Sequence, residues 1–132
     1  MSAFLTADEM GVPIRVQLSR AKGWRLPANT VSVARPTRFG NPFDVATFGR
    51  EQAVGLYRNA ILGTGWSPAW VAHMPNALAE RVYRDTMRLQ SRVGGIERRA
   101  WIKADLRGKN LACWCKPGEP CHADVLLEIA NS

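Results

Sequence analysis

The sequence has few of the residues from which disulfide scaffolds and membrane spans are built. It contains three cysteines in 132 residues, and two of them are separated by one residue, where a disulfide is strained. No apolar run approaches the roughly 20 residues of a membrane-spanning helix, and the N-terminus lacks the basic and apolar regions of a signal peptide. We therefore expect a soluble, cytoplasmic protein with reduced thiols and no membrane partner.

Acidic residues are also scarce. Eleven Asp and Glu stand against eighteen Lys and Arg, so the net charge is +7. Fourteen of the basic residues are Arg, whose guanidinium binds phosphate or carboxylate through paired hydrogen bonds. This composition favours a phosphate-bearing partner, although a solvated Arg-rich surface has the same composition. Charge alone does not choose between a nucleotide and a nucleic acid.

The order of patterns along the chain predicts one α/β domain. Residues 1–13 lack periodicity and are expected to form an N-terminal arm, and residues 14–132 are expected to form the domain. Strands are predicted at 14–18, 30–34 and 110–115, and helices at 50–62, 67–73, 75–92, 96–105 and 123–130. The last strand follows long helical crossovers, so it should pair in parallel with an earlier one. The expected fold is a small two- or three-layer domain with a short, mostly parallel sheet covered by helices.

All the cysteines and one of the two histidines lie within ten residues, Cys113-Trp-Cys-Lys-Pro-Gly-Glu-Pro-Cys-His122. This segment joins a predicted strand to a predicted helix, a junction where ligands bind in open α/β sheets. Zinc prefers thiolate and imidazole ligands. The candidate zinc ligands are therefore Cys113, Cys115, Cys121 and His122. The spacing lacks paired C-x2-C knuckles, however, and adjacent residues on a helix diverge by about 100°. A site that uses all four would need an irregular backbone.

A second interpretation uses the N-terminus of the last helix. Its free amides and its dipole stabilise negative charge, which lowers a thiol pKa or holds a phosphate. Cys121 is then a candidate nucleophile, His122 a candidate acid or base, and Asp124 a further catalytic candidate in the first turn. A third interpretation gives the cysteines a packing role. Trp114 is expected to pack in the core, with base stacking as the alternative.

A second motif, Arg35-Pro-Thr-Arg-Phe-Gly-Asn-Pro-Phe43, follows another predicted strand, and its Pro, Gly and Asn residues predict a structured loop. If the strands are parallel, this loop and the Cys-His segment lie at one edge of the sheet and form one pocket. Arg35 and Arg38 are candidates to clamp phosphate, and Asn41 is a candidate to contact a base or sugar. Further candidates for ligand contact are Ser19, Arg20 and Cys115. Alternatively, the motif is a surface turn anchored by its phenylalanines, with solvated arginines.

One predicted helix has an arginine face. Arg81, Arg84, Arg88 and Arg92 recur at intervals of three or four residues, which places them on one side of the helix. Such a face can follow a nucleic-acid backbone, so a non-enzymatic nucleic-acid-binding module, stabilised by zinc, is an alternative to a nucleotide-binding protein. Solvated arginine faces are common, and Asp85 lies beside this one.

Two motifs together resemble the small bacterial and phage family catalogued as domain of unknown function 4326. They are Val33-Ala-Arg-Pro-Thr-Arg-Phe-Gly-Asn-Pro-Phe43 and the segment from Leu106 to Leu127 that contains the cysteines, and the resemblance covers residues 14–131. In that family a Gly usually follows the Cys-His pair, where this chain has Ala123. The Cys-His ending is also similar to the family of domain of unknown function 488, a small α/β fold. These resemblances imply a phage or prophage context and a role in nucleotide metabolism, DNA modification or counter-defence.

The leading hypothesis is a protein that binds a nucleotide, a modified base or another phosphate-bearing ligand at the carboxyl edge of its sheet. If the Cys and His residues are catalytic, the hypothesis becomes an enzyme that modifies nucleotides or DNA bases. The alternatives are the nucleic-acid-binding module and a counter-defence protein that binds a macromolecular partner. Zinc is the cofactor considered. The sequence indicates no reaction and no oligomeric state.

Overall fold

Three short strands form a parallel sheet in which the last strand of the chain lies at the centre. The computed structural model describes residues 12–63, 73–90 and 95–132. Its strands are β1 (Arg15–Gln17), β2 (Thr30–Ser32) and β3 (Asn110–Cys113), in the order β1-β3-β2. β3 pairs in parallel with both of its neighbours. All four of its residues are buried, because strands cover both of its edges and α5 packs against it.

Helices make up most of the remaining described fold. They are α1 (Val45–Phe48), α2 (Arg50–Leu62), α3 (Asn76–Gln90), α4 (Ile96–Leu106) and α5 (His122–Ala130). α1 begins after Asp44, whose carboxylate accepts a hydrogen bond from the backbone N–H of Thr47. α2 ends at Gly63, which adopts the left-handed conformation of a helix C-terminus.

The hydrophobic core lies between β3 and the helices. Its fully buried side chains include Tyr57 of α2, Leu111 of β3 and Leu126 of α5. α5 packs against α4, α2 and β3, so the helix that follows the cysteines is fixed on several sides. The buried hydroxyl of Tyr57 donates a hydrogen bond to the backbone oxygen of Phe39 at 2.9 Å. This contact ties the loop after β2 to the core.

The predicted fold class is confirmed, because a short parallel sheet and its covering helices form a small α/β domain. The helices predicted at 96–105 and 123–130 are present with one end shifted by one residue, and the helix predicted at 75–92 is present from Asn76 to Gln90, beyond which the described residues are interrupted. α1 was not predicted, and β3 ends at Cys113 rather than at Cys115. The predicted helix at 67–73 and the arm at 1–13 fall largely outside the described residues. Within the described residues, no helix has the length and apolar character needed to cross a membrane.

Candidate functional site

The two sequence motifs meet in a cleft at the carboxyl edge of the sheet. β2 and β3 are parallel neighbours, so the loops that follow them leave the sheet on the same side. A cleft of about 240 Å³ lies between these loops. Its lining includes Arg35, Asn41, Arg50, Cys113, Trp114, Cys115, Cys121 and His122. The parallel pairing therefore brings together residues that are far apart in the sequence.

The three thiols converge on one wall of this cleft. The Sγ atoms of Cys113, Cys115 and Cys121 all lie within 4.8 Å of one another, and all three thiols are free. Cys113 ends β3 and Cys121 is the N-cap of α5, and the turn between them passes through Gly118 at a φ of 85°. Three thiols in this arrangement can hold a metal ion.

The hydrogen bonds of the cluster distribute charge unevenly among the thiols. The Sγ atoms of Cys113 and Cys121 are 2.7 Å apart. The hydrogen bond from the Cys121 thiol lowers the pKa of Cys113 to about 6 against the opposing effect of burial, and the backbone N–H of Cys115 also contributes. The same hydrogen bond, together with burial, raises the pKa of Cys121, while burial raises the pKa of Cys115. Cys113 and Cys121 therefore act as a coupled pair, in which a hydrogen bond from one thiol stabilises negative charge on the other.

His122 links α5 to the chain after β2. Its Nε2 atom lies 2.8 Å from the backbone oxygen of Val33, and a carbonyl can only accept, so Nε2 carries the hydrogen. Nδ1 is then unprotonated and lies 3.8 Å from the Sγ atom of Cys121. Burial lowers the pKa of His122, which keeps the ring neutral at pH 7. In this form His122 can accept a proton or bind a metal ion through Nδ1.

Asp124, the third catalytic candidate, does not line the cleft. Its carboxylate accepts a hydrogen bond from Nη1 of Arg15 at 2.8 Å. Arg15 also donates to the backbone oxygens of Glu119 at 2.7 Å and Lys116 at 2.9 Å. Arg15 therefore holds the turn between Cys115 and Cys121 against β1. The sequence did not indicate this role of Arg15, because the alternating pattern of a strand does not show which loop its side chains contact.

Arg50, at the start of α2, is a second site residue that the sequence did not indicate. Its Nη1 atom donates to the Sγ atom of Cys115 at 3.4 Å, and its Nε atom pairs with Glu119 at 2.6 Å. Arg50 also lines the cleft. It therefore places a positive charge beside the thiols, and its only sequence signal was its position at the beginning of a helix.

Arg35 lines the cleft with an exposed side chain. Within the described residues, its guanidinium has no hydrogen-bond or ion-pair partner. The loop that carries it is closed by hydrogen bonds from the backbone N–H of Thr37 to Ala34 and from that of Gly40 to Thr37. A Cβ atom at Gly40 would lie 2.7 Å from Cγ and 3.0 Å from Cα of Arg35. Glycine at this position therefore allows the loop to fold back against Arg35.

The other two candidates of this motif hold the loop in place. Arg38 pairs with Asp105 of α4 and lies 4.3 Å from the ring centre of Trp101, outside the cleft. Asn41 lines the cleft, but its Oδ1 accepts from the backbone N–H of Phe43 at 2.9 Å and its Nδ2 donates to Ala53 at 3.0 Å. Both ends of the Asn41 amide are thus engaged within the protein.

Trp114 is 46 % exposed, so the prediction that it packs in the core is wrong. The strand ends at Cys113, and the alternation that would have turned Trp114 towards a covered face stops there. Instead, Trp114 lines the cleft, and the guanidinium of Arg20 lies 4.5 Å from its ring centre. Ser19 does not line the cleft, and its hydroxyl accepts from the backbone N–H of Ala21 at 3.0 Å.

The arginine face of α3 is not uniformly free. Arg81 donates to Asp44 at 2.6 Å and to the backbone oxygen of Pro42 at 3.1 Å, so it braces the chain before α1. Arg84 and Arg88 are exposed, whereas Arg92 lies outside the described residues. The Arg81–Arg92 face therefore presents fewer available guanidinium groups than its spacing suggested.

The chain was also compared with known proteins. It shows no significant similarity to a curated protein or to a solved structure. A sequence model of one family, described as Domain of unknown function (DUF4326), matches residues 16–132. The matched region contains both cleft-forming motifs and all three cysteines. The chain therefore belongs to this family of domains of unknown function.

Proposed function

We propose that the cleft binds a small phosphate-bearing ligand. The observation that carries this proposal is the meeting of the two motifs at the carboxyl edge of a parallel sheet. The cleft between them is lined by Arg35, which has no ion-pair or hydrogen-bond partner in the part of the chain that the structure describes. Ligands bind at this edge in open α/β sheets, and guanidinium groups bind phosphate oxygens in pairs. The net charge of +7 further favours an anionic ligand.

Isothermal titration calorimetry tests this proposal. Nucleoside mono-, di- and triphosphates and sugar phosphates are titrated, with unphosphorylated nucleosides as ligand controls. At least one phosphorylated compound should bind, and Arg35→Ala should weaken its binding about tenfold or more, because a hydrogen bond to a charged group contributes about 1.5–3 kcal/mol.

Arg25→Ala is the matched control, since Arg25 is exposed but does not line the cleft. It should leave affinity nearly unchanged. Equal losses in the two variants would assign binding to general charge and contradict the proposal. Absence of binding by any phosphorylated compound would also overturn it.

A second proposal follows from the thiols: Cys113, Cys115 and Cys121 hold a zinc ion. Their Sγ atoms lie within 4.8 Å of one another, and two thiolates on one tetrahedral zinc ion at about 2.3 Å are about 3.8 Å apart. The Cys113–Cys121 pair, at 2.7 Å, would open by about 1 Å on binding. All three cysteines line the cleft, so the ion would lie on its wall.

His122 is the candidate fourth ligand. Histidines that bind metals usually donate their other ring N–H to a carbonyl or carboxylate, and Nε2 of His122 donates to Val33 in this way. This contact leaves Nδ1, which lies 3.8 Å from Cys121, available to the metal. His122 lies outside the three-cysteine group in the described residues, so it would move closer on metal binding.

Metal analysis tests the zinc proposal. Protein prepared under reducing conditions with added zinc should contain one zinc ion per chain by mass spectrometry of the digested sample. Cys113→Ser and Cys121→Ser should each lose most of this zinc, and His122→Gln should lower zinc affinity. His73→Gln, at the exposed second histidine, serves as the control and should retain zinc. A reduced native chain that binds no zinc would contradict the proposal.

A further inference from the structure

We propose that Trp114 is a stacking surface for a nucleobase, so that the ligand of the cleft is a nucleotide rather than a sugar phosphate or inorganic phosphate. This inference rests on the proposed binding of a phosphate-bearing ligand and names its chemical class. The observation behind it is that a half-exposed indole and Arg35, an arginine without a partner among the described residues, line the same cleft.

The exposure of Trp114 is unusual for the cleft in which it lies. Among the large apolar side chains that are exposed in the described residues, Trp114 and Val45 line the cleft. Phe43, which also lines the cleft, is 1 % exposed and belongs to the core, and the imidazole of His122 is partly buried and bonded to Val33. Trp114 is therefore the most exposed aromatic side chain of the described lining.

The residues around Trp114 explain why its indole is exposed in the cleft. The flanking Cys113 is 1 % exposed and Cys115 is partly buried, and the indole lies beyond the end of β3. The guanidinium of Arg20 lies 4.5 Å from the ring centre, within the range of a cation–π contact. This contact limits the freedom of the indole before a ligand binds, which reduces the entropy cost of stacking.

The groups around the cleft match the two parts of a nucleotide. An aromatic face suits a flat base, because all bases present a π-face, while a guanidinium suits a phosphate. Trp114 and Arg35 come from the loops that follow β3 and β2, and both line the cleft. The cleft of about 240 Å³ lies just below the usual range of about 300–1,000 Å³ for ligand pockets, so it suits part of a single nucleotide better than a polymer.

Calorimetry with matched ligands tests the inference. The four common ribonucleoside 5′-monophosphates and ribose 5-phosphate are titrated at one salt concentration. At least one mononucleotide should bind the native chain about tenfold or more tightly than ribose 5-phosphate does. Trp114→Leu should remove this difference and leave the affinity for ribose 5-phosphate unchanged, whereas Trp114→Phe should retain most of the difference.

Trp24→Leu is the control, because Trp24 is partly buried in the loop between β1 and β2 and does not line the cleft. It should keep the preference for the mononucleotide. Saturation-transfer NMR on the native chain provides a measure that needs no variant, and the base protons should receive more saturation than the ribose protons.

The outcomes distinguish failure of the stacking inference from failure of the proposed phosphate site, which are the two levels of the proposal. Equal binding of mononucleotides and ribose 5-phosphate, lost in Arg35→Ala, would overturn the stacking inference and leave the phosphate site standing. Tight, steeply salt-dependent binding of single-stranded oligonucleotides, with no mononucleotide binding, would overturn the inference in favour of a nucleic-acid site. Absence of binding by every phosphorylated compound would overturn both levels.

Discussion

At Gly40 the loop leaves no room for a side chain. A Cβ atom there would lie 3.0 Å from Cα and 3.2 Å from N of Arg35, and these backbone atoms cannot rotate away. We predict that Gly40→Ala lowers the free energy of unfolding by about 1–3 kcal/mol, the usual cost of overpacking. It should also weaken phosphate binding, because Arg35 is displaced. Urea unfolding and calorimetry measure the two effects.

Gly55 provides the matched control for this substitution. It lies within α2, and a Cβ atom there would have no neighbour within 4 Å. Gly55→Ala should raise the free energy of unfolding by about 0.5–1 kcal/mol, because alanine favours the helix. If both alanine variants changed stability alike, the steric role assigned to Gly40 would be wrong.

Asp44 should make stability depend on pH. Hydrogen bonds from Thr47 and then from Arg81 hold the pKa of this carboxyl well below its usual range. A depressed pKa stabilises the fold above the unfolded-state value of about 3.9, and this contribution is lost as the pH falls further. The stability difference between the native chain and Asp44→Asn should therefore be largest near pH 7 and shrink below about pH 4. A difference that stays constant from pH 7 to pH 3 in urea unfolding would refute this.

Single residues were predicted well where the backbone determines their position. Arg35 and Cys121 were both expected at one edge of the sheet, and both line the cleft. Arg38 and Asn41 have partners on α4 and α2, Asp105 and Ala53. Such long-range partners leave no pattern in a single sequence, so the engagement of these two side chains could not be foreseen.

At the scale of elements, Arg15 joins β1 to the turn before α5. Its side chain is 12 % exposed, and it donates hydrogen bonds to Lys116, Glu119 and Asp124. Arg15→Met should therefore reduce the free energy of unfolding by about 1–3 kcal/mol, since the hydrogen bonds of a mostly buried guanidinium are lost. Hydrogen exchange at the backbone N–H of Glu119, which bonds to Lys116, should also become faster.

Arg58→Met is the control for this substitution. Arg58 pairs with Glu128 between α2 and α5, but both side chains are about half exposed. Exposed ion pairs contribute little, so the melting temperature and the exchange of the turn should hardly change. Equal effects of the two methionine variants would show that Arg15 has no special role in the turn.

The accuracy of the predicted element boundaries depended on how regularly the apolar residues of each element recur. The start of α3 was predicted to within one residue because its apolar positions recur at helical spacing, and Val82, Thr86 and Leu89 are indeed buried. α1 has four residues and depends on the Asp44 cap, so it has no periodicity to detect. β3 was predicted too long because apolar and cysteine residues continue beyond the end of its pairing with β1 and β2.

At the scale of the whole molecule, zinc binding should stabilise the fold if the three thiols hold the ion. A ligand that binds only the folded state at a thousand times its dissociation constant adds about 4 kcal/mol. For a domain of this size, this corresponds to a rise in melting temperature of about 10 °C or more. Differential scanning calorimetry with and without a chelator should show the shift in the native chain and not in Cys113→Ser. A native chain insensitive to the chelator would count against the zinc site.

The relative position of the two cleft-forming loops could be predicted from the order and direction of the strands. Parallel pairing and long crossovers predicted that two distant loops would share one edge of the sheet, and they form one cleft. The sequence could not predict how negative charge is distributed among the thiols, because the pKa of Cys113 depends on its distance from Cys121 and on the burial of both. Those quantities exist only in the folded chain.

The central position of β3 also determines when the site can form during synthesis. β1 and β2 each pair with β3, and Arg15 of β1 pairs with Leu111, which comes much later in the sequence. A nascent chain that has not yet released β3 from the ribosome therefore lacks the strand that joins the other two. Sheet and cleft must assemble late, through contacts distant in sequence, which is typical of slow folding. The thiols leave the ribosome together with β3, so the site never exists ahead of the sheet that supports it.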